Sequence, residues 1–312
     1  MSTAAFIAGD WGTSHLRLAL CDSQGEALVE AEGPGAAAIN GAFPETFERL
    51  TRGWRHVHGD LPAVLSGMVG SSFGWIKAPY VACPAGSAEI VTSLTPIPAH
   101  GVVIAPGLSC VNPCAVPDLL RGEEAQTLGA MRLEPRLQSG RHVLCLPGTH
   151  TKWVVLDDGR VRSFLTAPTG ELYSILRRHS VLLQAGAIES PTLPFAQAVR
   201  HAQRQAGADV LHLLFECRSR QLLGDVSPTD ASAYLSGLLI ARDIAGALGF
   251  YGHFLRPDTP LVLVGAAHLT HLYAAALRMR EVESISIDGR AAARLGAAEI
   301  YSLWSQKEPF RV

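Results

Sequence analysis

Asp10, Gly12, Thr13 and Ser14 crowd one short turn near the start of the chain, in the run GDWGTSHLRLAL over residues 9–20. Backbone amides in such a turn can point at a phosphate, glycine allows close approach, and the hydroxyls add donors. Asp10 suits a Mg²⁺ ion held through water, because Mg²⁺ keeps several waters and takes one or two carboxylates beside phosphate oxygens. The competing account is an aspartate that braces its own turn. A second turn tips the balance toward phosphate. HVLCLPGTHTKWVVLDDGRVRSFL, from His142 onward, sets Gly148, Thr149, His150 and Thr151 between two apolar runs. Two such turns from two related domains can grip the β- and γ-phosphates of a nucleotide across a cleft. Neither matches GxxxxGK[ST], and no GxGxxG opens a helix after a strand, so those nucleotide loops find no support.

The elements around the turns repeat. Residues 5–8 form an apolar strand, Leu16, Leu18 and Leu20 alternate with His15 and Arg17, and a turn at 22–25 leads to a third strand over 26–30. The second copy has strands at 143–146, 152–156 and 161–165, with Asp157-Asp158-Gly159 as its turn. Gly12-Thr13 and Gly148-Thr149 stand 136 residues apart, which points to a duplicated domain. Helical spacing predicts helices over 122–132, 170–179, 195–205, 210–222, 229–248 and 268–280, with a compact strand at 261–264. Strands first and helices later in each half argue for an α/β fold with a mixed sheet per domain. The boundary is expected between 118 and 140, giving domains 1–120 and 121–312 with a helix from Gly122 as the crossing element.

Composition narrows the function classes. With 48% hydrophobic and 17% charged residues, the 312-residue chain is globular. A net charge of −2 supplies no basic footprint for nucleic acid or an anionic membrane. The first nine residues lack a positive signal-peptide start, and the apolar stretch 231–248 contains Arg242 and Asp243, so it reads as a core helix. Six scattered cysteines, without zinc-finger spacing, read as reduced thiols of a cytoplasmic protein.

GDWGTS and LPGTHTK resemble the two phosphate loops of the acetate and sugar kinase/actin superfamily. That resemblance implies two ribonuclease-H-like (actin-like ATPase) domains with mixed β-sheets flanked by helices and an ATP cleft between them. Further segments resemble the 2-dehydro-3-deoxygalactonokinase family: SGMVGSSFGWIKAPYVACPA (66–85), APGLS (105–109), RGEEAQTLGA (121–130), LPGTHTKWV (146–154) and TGELYSILRRHSVL (169–182). The family implies ATP- and Mg²⁺-dependent phosphorylation of the 6-hydroxyl of 2-dehydro-3-deoxy-D-galactonate, in galactonate catabolism. LVGAAHL (263–269) is then the adenosine-side loop, through Gly265 and Ala266. Small residues there let a purine lie on the backbone, and close strand–helix packing would ask for them too.

In many sugar kinases of the superfamily an Asp near the second phosphate loop is the general base, but 146–151 contains no carboxylate. Glu123 and Glu124 are the next candidates, since RGEEA resembles a Glu-Glu-Ala segment of the related exopolyphosphatases. Successive helix residues point about 100° apart, so one of the two faces the site, and Glu123 is preferred. Acidic residues favoured by a helix N-terminus are the alternative.

For the sugar acid, Ser71 and Ser72 supply hydroxyls, Trp75 a wall and Lys77 a nearby cation; a tight structural loop is the competing account. Lys152 is expected on the same side as His150, within reach of a phosphate. His150 reads as a hydrogen-bonding turn residue, Arg17 as solvated, and Glu171 with Tyr173 as partners for substrate hydroxyls. Rival functions are a kinase for the gluconate-derived epimer, an exopolyphosphatase-like hydrolase, and an actin-like regulator. A monomer and a homodimer both remain open.

Overall fold

The computed structural model describes residues 3–183, 193–255 and 259–307. Contacts divide the chain into two compact units: Met1–Arg141 with Leu156–Phe164 and Gly289–Val312, and His142–Val155 with Leu165–Asp288.

The first unit opens with β1 (Phe6–Trp11), β2 (His15–Cys21) and β3 (Ala27–Pro34), then α1 (Phe43–His58) and β4 (Ala63–Gly67). β5 (Tyr80–Ala82), α2 (Ser87–Thr92), β6 (Thr95–Ile97), β7 (Val102–Ile104), β8 (Gly107–Val111), β9 (Pro117–Leu120) and α3 (Glu123–Leu133) follow. The second half runs β10 (Arg141–Leu146), β11 (Thr151–Asp157), β12 (Arg160–Ala167), α4 (Thr169–His179), α5 (Leu193–Arg204), α6 (Val210–Leu222) and α7 (Ala231–Tyr251). It closes with β13 (Leu261–Gly265), α8 (Ala267–Arg278), β14 (Ser284–Asp288) and α9 (Gly289–Lys307).

The main sheets are ordered β3-β2-β1-β4-β7-β6 and β12-β11-β10-β13-β14. Counted from its own first strand, each begins 3-2-1-4, and the first then continues 6-5 where the second ends on 5. In the first, β1 pairs antiparallel with β2 and parallel with β4. In the second, β13 is parallel to both β10 and β14. The duplicated hairpins therefore belong to duplicated sheets, and the α/β expectation with mixed sheets holds. A further three-stranded sheet, β5-β8-β9, lay outside the sequence reading.

Strand alternation sorts side chains to two faces. Ile7, Trp11, Leu16, Leu18 and Leu20 enter one core with Phe43 and Phe47 of α1. In the second unit Val143, Cys145, Trp153 and Val155 pack with Leu235, Leu238 and other residues of α7. That burial agrees with reading α7 as a core helix, although Ala231–Phe254 is long and apolar enough to cross a membrane by length and composition.

The expected division after residue 120 differs from the contact grouping, because α3 and α9 both lie in the first unit. Cβ atoms on Gly129 and Gly296 would fall 1.8 Å from the carbonyl oxygens of Ala292 and Ala125. The two helix backbones thus touch directly, through small residues that give no apolar periodicity. Residues 156–164 also join the first unit, where Val161 and Ala85 exchange backbone hydrogen bonds of 2.8 and 3.0 Å.

Candidate active site

Each Gly-Thr turn sits at the same place in its sheet, between the first two strands of the hairpin. At the first, Gly12 N–H donates to His15 O (2.9 Å), and the amides of Gly35, Ala36 and Ala37 donate to the carbonyls of Ser14, Gly12 and Thr13 at 3.0–3.2 Å. Gly35 makes this approach possible, since a Cβ there would lie 2.3 Å from Thr13 O. With its carbonyls tied back, the turn presents the exposed Thr13 and Ser14, whose amides make no hydrogen bond to another described residue.

The second turn is built alike from different parts. Glu171 N–H at the start of α4 donates to Thr149 O (2.9 Å), and a Cβ on Gly170 would fall 2.3 Å from Gly148 O. Thr149 and His150 are exposed. Space over both turns is open: a Cβ on Gly12 would meet nothing nearer than 3.5 Å, and one on Gly148 nothing nearer than 3.9 Å. Hydroxyls, open glycines and amides without protein acceptors fit a polyphosphate.

Asp10, next to last in β1, lies opposite Arg17, with 3.6 Å between Oδ2 and the guanidinium. Arg17, 37% exposed, is both partly solvated and the aspartate's partner. Burial raises the Asp10 carboxyl above the ordinary range, and Arg17 opposes that rise. Among the described residues no three His, Cys, Asp or Glu side chains gather as a metal cluster. A lone carboxylate, one-fifth exposed and shared with an arginine, fits an ion held through water rather than a protein cage.

α3 begins close by. A Cβ on Gly67 would lie 2.7 Å from Trp11 O, and one on Gly122 3.3 Å from Gly67 Cα, so the ends of β1 and β4 stack with the start of α3. Glu123 Oε2 accepts from Arg121 N–H (3.0 Å) and Glu124 Oε2 from Gly122 N–H (2.6 Å). Both satisfy amides at the helix start, as the dipole account expects. Glu124 does more. It is 1% exposed, its Oε1 has no hydrogen-bond partner, and burial pushes its pKa up to about 8.

Several expected roles change. Trp75 is partly buried and packs on Phe47 and His100, with ring centroids 5.8 and 5.0 Å away, at the edge of the first core. The loop around it is tight: Trp75 N–H donates to Val69 O (2.8 Å) and Ala78 N–H to Gly70 O (2.9 Å). Ser71 is buried with an unpartnered Oγ, whereas Ser72 and Lys77 are exposed. Lys152 is 6% exposed and its Nζ donates to Thr166 Oγ1 (2.9 Å) on the neighbouring strand β12. Thr151, on the opposite face of β11, is buried with Oγ1 2.9 Å from Tyr273 OH. His150 and Glu171 meet as an exposed pair at 2.8 Å. Gly265 and Ala266 do adjoin the second turn, a Cβ on Gly265 falling 3.3 Å from Pro147 O.

Asp243 is a buried carboxylate near the second turn that the sequence does not single out. Its carboxylate accepts from Trp153 Nε1 (2.8 Å), Thr169 Oγ1 (2.7 Å) and Tyr273 OH (2.5 Å). Burial raises its pKa and these bonds oppose the rise. The signal in the sequence is a carboxylate, beside Arg242, inside a mostly apolar helix.

The family model for 2-keto-3-deoxy-galactonokinase matches residues 10–300. The chain belongs to that family. A 2-dehydro-3-deoxygalactonokinase from Escherichia coli (strain K12) is 34% identical, over 96% of this chain and 98% of that protein. A Rhizobium meliloti (strain 1021) protein, provisionally named for the same activity, is 38% identical over 97% and 99%. A Sinorhizobium meliloti crystal structure, also provisionally named, superposes with a TM-score of 0.84 at 34% identity, covering 98% of this chain and all of that one. At 11% identity, the activator of 2-hydroxyisocaproyl-CoA dehydratase from Clostridium difficile, with bound ADPNP, shares the fold with a TM-score of 0.54 over 98% of both chains. This family member is a carbohydrate kinase that phosphorylates the keto-deoxy sugar acid with ATP as co-substrate.

Proposed function

We propose that the chain transfers the γ-phosphoryl group of ATP to the 6-hydroxyl of 2-dehydro-3-deoxy-D-galactonate, as a cytoplasmic enzyme of galactonate catabolism. One observation carries the residue assignment. Two Gly-Thr turns occupy equivalent places in two sheets that both begin 3-2-1-4, each with a carbonyl held from behind and its hydroxyl side exposed. Phosphoryl transfer demands positioning and charge neutralisation more than covalent chemistry, and such turns supply both.

In this reading Gly12, Thr13 and Ser14 are the phosphate contacts of the first unit, and Gly148, Thr149 and His150 those of the second. Asp10 would hold Mg²⁺ through water, and the ion would neutralise charge on the phosphates. Glu124 takes the proton from the attacking hydroxyl. Both glutamates accept a backbone amide through Oε2; the unpartnered Oε1 and the raised pKa of Glu124 support it as the base. Ser71, Ser72 and Lys77 stay candidates for the sugar acid, and Gly265 and Ala266 for the adenosine side. The family match does not favour the epimeric acid or a hydrolase.

ADP formation with Mg²⁺-ATP, measured against no acceptor, the galactonate-derived acid, its gluconate epimer and polyphosphate, tests the reading. Phosphorus NMR of the product locates the ester. Turnover confined to the galactonate-derived acid, and reduced about 10²-fold or more in Asp10→Asn, is expected. Acceptor-independent ADP release would overturn it.

A further inference from the structure

We infer that Asp243 is a positioning residue for the second phosphate turn, acting through Thr151 on one side of the turn and Thr169 on the other. The inference rests on the reading that the turn at Gly148-Thr149 holds phosphate.

Asp243 lies on α7, distant in sequence from the turn. Its Oδ1 accepts from Trp153 Nε1 on β11, and its Oδ2 from Thr169 Oγ1 at the start of α4 and from Tyr273 OH on α8. Tyr273 OH is also 2.9 Å from Thr151 Oγ1 at the first residue of β11. One carboxylate therefore ties the strand leaving the turn to the helix clamping it. The clamp follows directly: Thr169 precedes Gly170, pressed on Gly148 O, and Glu171, whose amide holds Thr149 O.

The donor set requires a carboxylate. Indole N–H donates only, so one oxygen must accept from it, while the other takes two hydroxyls at once. Asparagine can keep the indole bond through its oxygen. Its amide nitrogen then faces Thr169 and Tyr273, whose hydroxyls must reverse. Thr169 and Tyr273, with Gly148, Gly170 and Tyr173, also line a small open pocket beside the turn, so a shift in either partner is transmitted to its wall.

A role confined to packing would lower stability and affect both substrates alike. A positioning role weakens nucleotide selectively. The test compares full-length wild type with Asp243→Asn, Thr169→Val and Thr169→Ser. Calorimetry with a non-hydrolysable ATP analogue and Mg²⁺ gives nucleotide affinity, steady-state kinetics gives separate KM values for ATP and the sugar acid, and thermal melts report folding.

Asp243→Asn and Thr169→Val are expected to lose about 10- to 100-fold in nucleotide affinity or in kcat/KM for ATP, the scale of a small misplacement. The sugar-acid KM should stay within about threefold, and Thr169→Ser, which restores the hydroxyl, should recover most of the loss. Unchanged nucleotide affinity in folded Thr169→Val overturns the inference, as does a parallel loss for both substrates that follows the fraction unfolded. If Asp243→Asn does not fold, the Thr169 pair decides. Wild type that binds the analogue yet leaves the sugar acid unphosphorylated refutes the substrate reading, and the affinity comparison still decides the role of Asp243.

Discussion

Replacing Glu124 with glutamine should uncouple stability from catalysis, with a sign that depends on pH. The folded protein raises this carboxyl from 4.5 to about 8, so between those values the native state holds a proton that the unfolded chain releases. Stability from this group is complete below about 4.5 and is lost as pH rises toward 8. At about 1.4 kcal/mol per unit, the total loss is at most about 5 kcal/mol. A glutamine at this position has no charge to bury, which favours the variant at high pH. Its amide oxygen can keep the Gly122 N–H bond, but its NH₂ then occupies the place where Glu124 Oε1 has no partner, at a cost of about 1–3 kcal/mol.

The variant should therefore be less stable than wild type near pH 5 and more stable by about 2 kcal/mol or more near pH 9. Urea melts at one-unit intervals from pH 5 to 9 measure the crossover. Asp10, also raised by burial, keeps some of the same pH slope in both proteins. Turnover should fall about 10²- to 10⁴-fold with the base removed, and wild-type kcat should rise with pH toward the pKa of Glu124. Parallel stability curves would show that Glu124 is ionised at no cost. Full turnover in the variant would remove it as the base.

Two further substitutions probe how the turns and helices are held. Gly35→Ala places a Cβ 2.3 Å from Thr13 O, and should raise KM for ATP at least about tenfold while costing about 1–3 kcal/mol in a denaturant melt; wild-type KM would mean that the clamp behind the first turn is dispensable. Gly296→Val drives side-chain atoms into the Ala125 carbonyl, and should lower stability by about 3 kcal/mol or more by parting α3 from α9, seen as a shifted thermal midpoint.

Much of the protein is legible in linear form because its signals are local. The Gly-Thr turns need only neighbouring residues, and the two hairpins show their alternation directly, so their strands lie where the pattern puts them. The helix at Val210–Leu222 falls where periodicity places it. α9 gives no such signal, because its contact with α3 runs through glycine and alanine rather than an apolar stripe. Glu123 and Glu124 are equivalent as letters; only the fold leaves one of them buried with an open oxygen. Lys152 and Trp75 have the right chemistry for a ligand, but only the fold shows that Lys152 bonds Thr166 and that Trp75 leans on Phe47 and His100.

Sequence by itself determined the duplicated α/β plan, the two Gly-Thr turns and the family, since each rests on residues adjacent in the chain. Tertiary structure alone decided the surroundings of the buried carboxylates. The pKa of Glu124 and the grip of Asp243 on Thr169 and Trp153 depend on burial and on partners far away in sequence, and neither is encoded within any local window.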